Sequence, residues 1–133
     1  MIRLASIVVL GALAAFPAHA TEWISCSDSG GLASFDYLAG DGTGVLSIAA
    51  VTITAGERVW ASDPANGPGD PVSVGQQFED YTTIVVDAMD ADFVKIAELR
   101  LFKASEGYAL IYGGTLRIPG LGAWAVSCDP IGG

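Results

Sequence analysis

The sequence predicts an all-β fold: a small antiparallel barrel or curled sandwich of about eight or nine strands, closed by one disulfide. Three observations carry this. Short runs of β-branched and aromatic residues recur along the chain, separated by clusters of Gly, Asp, Ser and Pro. The connections between these runs are mostly short, which makes neighbouring strands antiparallel. Two cysteines, Cys26 and Cys128, stand near the two ends of the strand-bearing segment.

The first 20 of the 133 residues read as an export signal rather than as part of that fold. Arg3 gives a positive start, residues 4–16 are an uncharged apolar run, and Ala18-His19-Ala20 places small residues where a signal peptidase reads. Thirteen apolar residues fall short of the about 20 that a membrane span needs. The remainder, residues 21–133, is the size of one domain. Export makes the environment oxidising, so two cysteines predict one structural bridge, Cys26–Cys128. It would close a loop of about 100 residues, a constraint of roughly 4–5 kcal/mol on the unfolded chain.

Each element follows in order. Residues 23–26 start the first strand, and Asp28-Ser29-Gly30-Gly31 turns it. Residues 32–38 alternate, with Ala33, Phe35 and Tyr37 on one side and Leu32, Ser34, Asp36 and Leu38 on the other. A glycine-rich turn at residues 40–44 precedes a β-branched strand over 45–54, and residues 58–61 make a short strand. Residues 81–86 form another strand. Residues 93–103 carry both periods; the alternation of Ala97, Leu99 and Leu101 favours a strand, with a helical turn over 90–94. Gly113-Gly114 is either a hairpin turn or a bulge in one long strand. Residues 115–118 and 123–128 form a hairpin about Pro119-Gly120-Leu121-Gly122. The predicted core is Trp23, Phe35, Ile48, Val51, Ile53, Val85, Leu99, Leu101, Leu110, Leu116, Trp124 and Val126.

One connection is longer. Residues 62–77 include three prolines, which exclude a central strand and predict a stiffened loop. It is either a spacer across one barrel end or a binding loop through Asp63, Asn66, Asp70, Gln76 and Gln77.

Charge excludes several functions. Without Arg3, five basic residues face fifteen acidic ones, a net charge of −10. Nucleic-acid binding needs a basic face that five cations cannot make. Removing His19 with the signal removes the last histidine, and with it Ser-His-Asp catalysis and His-ligated metals. No motif with a catalytic mechanism is present, so the expectation is a non-enzyme with no catalytic residue and no cofactor. Acidity of this size favours either a basic partner or solubility alone.

Two further residue groups are candidates. Trp60, Tyr81, Tyr108 and Tyr112 would line a ligand pocket or fill the barrel. Asp87, Asp90 and Asp92 repel one another unless water or calcium screens them; their spacing is not that of a helix–loop–helix calcium site, and the alternative is a solvated acidic turn.

The outline resembles the small periplasmic lysozyme inhibitors of Gram-negative bacteria. The resemblance lies in the signal peptide, Trp23-x-x-Cys26, the Gly114-Thr115-Leu116 strand start, and Trp124 with Cys128. It covers the two ends of the chain. It implies an exported β-barrel that inserts a loop into a lysozyme cleft. The nearest segment here, Ser73-Val74-Gly75-Gln76-Gln77-Phe78, departs from that family's loop pattern.

The expectation is therefore a periplasmic or secreted, non-catalytic binding domain without a membrane anchor. Its partner would be a basic envelope or extracellular protein, a lysozyme-type enzyme among them, met through the 62–77 loop. The alternatives are a small-ligand barrel with an aromatic pocket and an envelope structural protein.

Overall fold

A computed structural model describes residues 22–40 and 46–131. The predicted export signal and the Asp41 turn lie outside the described residues. Ten strands form one sheet, against the eight or nine expected: β1 (Glu22–Ser27), β2 (Ala33–Ala39), β3 (Ile48–Ala55), β4 (Arg58–Ala61), β5 (Asp70–Pro71), β6 (Ser73–Glu79), β7 (Thr83–Met89), β8 (Lys95–Glu106), β9 (Ala109–Ile118) and β10 (Gly122–Ile131). The order across the sheet is β5-β4-β3-β2-β1-β10-β9-β8-β7-β6. Every pairing is antiparallel except the two-residue β4–β5 contact. Since β5 and β6 are separated only by Val72, the two edges of the sheet come back together and the barrel is nearly closed.

The first and last strands are neighbours, and Cys26 pairs directly with Cys128 across them. The disulfide therefore fastens two strands that already share a ladder. It fits the oxidising compartment that the sequence implies.

The alternation read in β2 holds: Ala33, Phe35 and Tyr37 face inward and are buried. Val51, Ile53, Leu99, Leu101, Leu116 and Val126 join them as expected. Trp23, Val85, Ile48 and Trp124 are only half-buried. Trp23 is turned outward because Ile24 and Cys26, one and three residues on, take the inward positions of β1. Leu110 is 58% exposed, because its part of β9 lies beyond the last residue that pairs with β10.

Three local expectations change. The residues 90–94 form a turn rather than a helical turn, with the Asp90 carboxylate accepting the Asp92 and Val94 amides and Phe93 at φ 61°. Gly113-Gly114 is neither turn nor bulge; β9 continues through it in register with β8 and β10. A Cβ on Gly114 would run into the Arg100 carbonyl oxygen, and one on Gly113 would lie 2.9 Å from the Val126 oxygen. Glycine there lets three backbones approach closely.

The expected 62–77 loop is shorter, because residues 73–77 belong to β6. Its remainder is tied down. Ser62 extends the β3 edge, its amide donating to the Val51 oxygen and its hydroxyl accepting the Val51 amide. Asp63 caps a single 3-10 turn, Pro64–Asn66, by accepting the Ala65 amide. Gly69 then passes so close that a Cβ would sit 3.0 Å from the Ala61 nitrogen, which brings β5 alongside β4.

Candidate functional site

Strand direction decides which residues meet. The turns after β1, β3, β7 and β9 lie at one end of the barrel, and those after β6 and β8 lie at the other. At this second end β8 overruns β7, and β9 continues past its ladder with β10. Beyond Phe102, which pairs with Thr83 of β7, and Tyr112, which pairs with Cys128 of β10, only the β8–β9 ladder continues. The result is a two-stranded arm that stands over the barrel mouth. On its inner face Lys103 pairs with Tyr112 and Ser105 with Leu110.

Beneath the arm is a cavity of about 310 Å³. Its apolar wall comes from Ile24 of β1, Leu46 before β3, Ile84 of β7 and Leu110 of β9. Tyr37 and Tyr112 add two phenols, and Glu22, Glu79, Tyr81 and Lys103 stand at the rim. Ile24, Tyr37, Leu46 and Ile84 are buried, so the floor belongs to the core. The volume is at the small end of the about 300–1,000 Å³ usual for ligand cavities.

The electrostatics of the mouth follow from those groups. Lys103 Nζ lies 3.0 Å from Glu79 Oε2, so the one cation among the described rim residues is paired. Burial pushes the Tyr37 phenol well above its ordinary range, with the Tyr112 phenol and the Glu79 carboxylate adding to the shift. The Tyr112 phenol is raised too, chiefly by burial and then by the charges of Glu22, Asp129 and Glu79. Both phenols are neutral at physiological pH and can donate a hydrogen bond. Tyr37 lines the cavity, and among the described residues its hydroxyl has no protein partner.

The anticipated aromatic group is split by the fold. Tyr81 and Tyr112 lie at the mouth. Trp60 is buried toward the opposite end, with the Arg58 guanidinium 4.6 Å above its ring. It borders a separate hollow shared with Asp70, Asp90 and Asp92. Tyr108 is fully exposed at the tip of the arm. Tyr37, Ile24, Leu46 and Ile84 complete the site and were not anticipated, because only the strand order brings them together.

The acidic group is likewise dispersed. Asp87 is 1% exposed on the outer barrel wall, where Arg100 donates to it at 2.7 Å and Lys95 lies at 3.3 Å. Asp90 serves its own turn and Asp92 is exposed. Among the described residues no three metal-ligating side chains converge. Lys95 and Arg117 also flank Glu98, whose carboxyl is lowered first by the Lys95 hydrogen bond and then by that of Arg117. This is a structural network across β7, β8 and β9.

The five loop residues are not gathered into one face. Asp63 caps the 3-10 turn that contains Asn66, Asp70 pairs with Arg58 at 3.6 Å, and Gln76 and Gln77 lie on β6 beside Ile48 of β3. The segment Ser73 to Phe78 is strand, not an inserting loop.

Comparison with protein-family models, with curated proteins and with solved structures gave no significant match to this chain.

Proposed function

We propose that this protein is an exported, non-catalytic binding domain that takes a small molecule into the mouth of its barrel. One observation carries the reading: a cavity of about 310 Å³ with an apolar floor, two neutral phenols and an overhanging β-arm. Apolar walls with a few placed polar groups are the usual composition of a ligand site, and barrel mouths are a usual place for one. The residues lining the mouth supply surface, hydrogen bonds and charge. The mouth is favoured over the 62–77 loop because its groups converge, whereas those of the loop are separated.

The test is a titration of the neutral fluorophore N-phenyl-1-naphthylamine. The expected result is saturable, one-to-one fluorescence enhancement that Leu110→Glu abolishes while the circular dichroism of the barrel is kept. Enhancement that never saturates, or that is equal in Leu110→Glu, would show that the mouth is not the site. A variant with residues 64–69 replaced by a short glycine linker should bind the probe as the wild type does.

A further inference from the structure

We infer that the molecule taken by the mouth is an organic cation: an amine or quaternary ammonium carried on a compact apolar body such as one ring and a short chain. The inference rests on the mouth being a ligand site, as proposed above.

Three observations point to a cation. The first is the balance of charge. Glu22 and Glu79 line the cavity, and Asp129 is near enough for its charge to bear on Tyr112. Among the described residues lining the cavity the only cation is Lys103, and it is paired with Glu79 at 3.0 Å, which leaves Glu22 without a partner there. The mouth therefore holds an uncompensated negative field over an apolar floor, and low-dielectric walls concentrate such a field. The second is the pair of phenols. A neutral phenol offers an electron-rich ring face, and a cation within about 6 Å of such a face is attracted to it. A phenolate would offer charge alone, but burial keeps Tyr37 and Tyr112 protonated. The third is the Tyr37 hydroxyl. Its side chain is 2% exposed, it lines the cavity, and among the described residues its oxygen has no protein partner. As an acceptor it suits an ammonium N–H.

The same features act against other classes. An anion would meet the carboxylates with no unpaired side-chain cation among the described residues, since the Lys103 ammonium is engaged. A neutral apolar molecule would fill the floor and gain nothing from the rim. The size of the cavity limits the apolar body to something small.

The experiment uses three probes of one shape: 4-phenylbutylamine, 4-phenylbutan-1-ol and 4-phenylbutyrate. Binding to the full domain is read by NMR from the side-chain signals of Ile84, Leu110 and Tyr112. The expected result is that the amine binds about tenfold tighter than the alcohol, the size of gap that one or two partly exposed charge contacts and a cation–π contact produce. The carboxylate should bind weakest. The gap should narrow as salt is raised, because the rim is wet. The double variant Glu22→Gln/Asp129→Asn should bring the ratio of amine to alcohol affinity close to one. If the alcohol binds as tightly as the amine, or the carboxylate binds tightest, the assignment of a cation is wrong while the mouth remains a ligand site. If none of the three moves the mouth signals, both readings fail. If the amine moves only signals on the outer wall, the attraction belongs to the acidic surface, and the inference falls.

Discussion

Opening the disulfide gives the most direct measure of what holds this barrel closed. Cys26 and Cys128 are 102 residues apart in sequence yet face each other across adjacent strands. In the chain-entropy treatment, a closed loop of that length removes about 16 cal/mol/K from the unfolded ensemble, or about 4.7 kcal/mol at 25 °C. Measured bridges fall in the range of about 2–5 kcal/mol. Replacing both cysteines by alanine also trims two buried sulfurs from the core. That adds a loss of the same sign, on the order of 1 kcal/mol. The expected loss for Cys26→Ala/Cys128→Ala is thus about 3–6 kcal/mol, a large share of the about 5–15 kcal/mol that domains possess. Urea unfolding followed by Trp fluorescence reads it directly. The slope with urea should also be steeper in the variant, since an uncrosslinked chain exposes more surface on unfolding. A loss under about 1 kcal/mol with an unchanged slope would refute the reasoning. It would mean that the β1–β10 ladder keeps the ends together in the unfolded ensemble, so the bridge has nothing to constrain.

Other perturbations test individual parts. Gly114→Ala should destabilise by about 1–3 kcal/mol in the same urea assay, because the new methyl group meets backbone rather than a movable side chain. Asp28→Ala should lower the urea midpoint at neutral pH, since its carboxylate accepts the Gly30, Leu32 and Ala33 amides. Those bonds, that of Ala33 first, hold its folded-state carboxyl below the ordinary range, so the loss should shrink as pH falls through that range. Asp36→Asn should do the reverse and stabilise at neutral pH. Burial raises this carboxyl despite the Ser25 hydroxyl bond at 2.6 Å, so stability is lost as pH rises through its ionisation. At alkaline pH the raised Tyr37 phenol makes stability fall from about pH 10 upward, by at most about 1.4 kcal/mol per pH unit. Tyr37→Phe should flatten that slope, and an unchanged slope would assign the effect to another group.

Much of the barrel is legible in the sequence because its strands obey a simple period. Ala33, Phe35 and Tyr37 alternate with polar residues, and the same rule places Ala97, Leu99 and Leu101 inside. What fails is set by neighbours rather than by the strand itself. β6 is exposed on both faces along most of its length and contains Gly75, Gln76 and Gln77, so nothing local marks it as a strand; pairing with β7 makes it one. Gly113 and Gly114 carry the composition of a turn but sit mid-strand, because the constraint there is the separation of three backbones. Leu110 has the alternation of a core residue on a stretch of β9 that has outrun the core. The mouth shows the same limit. Tyr81 and Tyr112 are recognisable as aromatics, but Ile24, Leu46 and Ile84 become a site only when the strand order places their ends side by side.

The acidity of the chain, read as one number, suggests attraction to a basic partner across the whole surface. The structure divides it into parts with different work. Asp28, Asp63, Asp80 and Asp90 accept backbone amides at turns, which is what short aspartates do where a chain reverses. Asp70, Glu79, Asp87 and Glu98 hold all five cations of the described residues in ion pairs. Three of those cations, Lys95, Arg100 and Arg117, surround only two acids, Asp87 and Glu98, so that network carries no spare negative charge. Among the acids not engaged in this way, Glu22 lines the mouth and Asp129 is near enough for its charge to bear on Tyr112. Such a field falls off within about 10 Å in ordinary salt, so only a group that enters the mouth feels it fully.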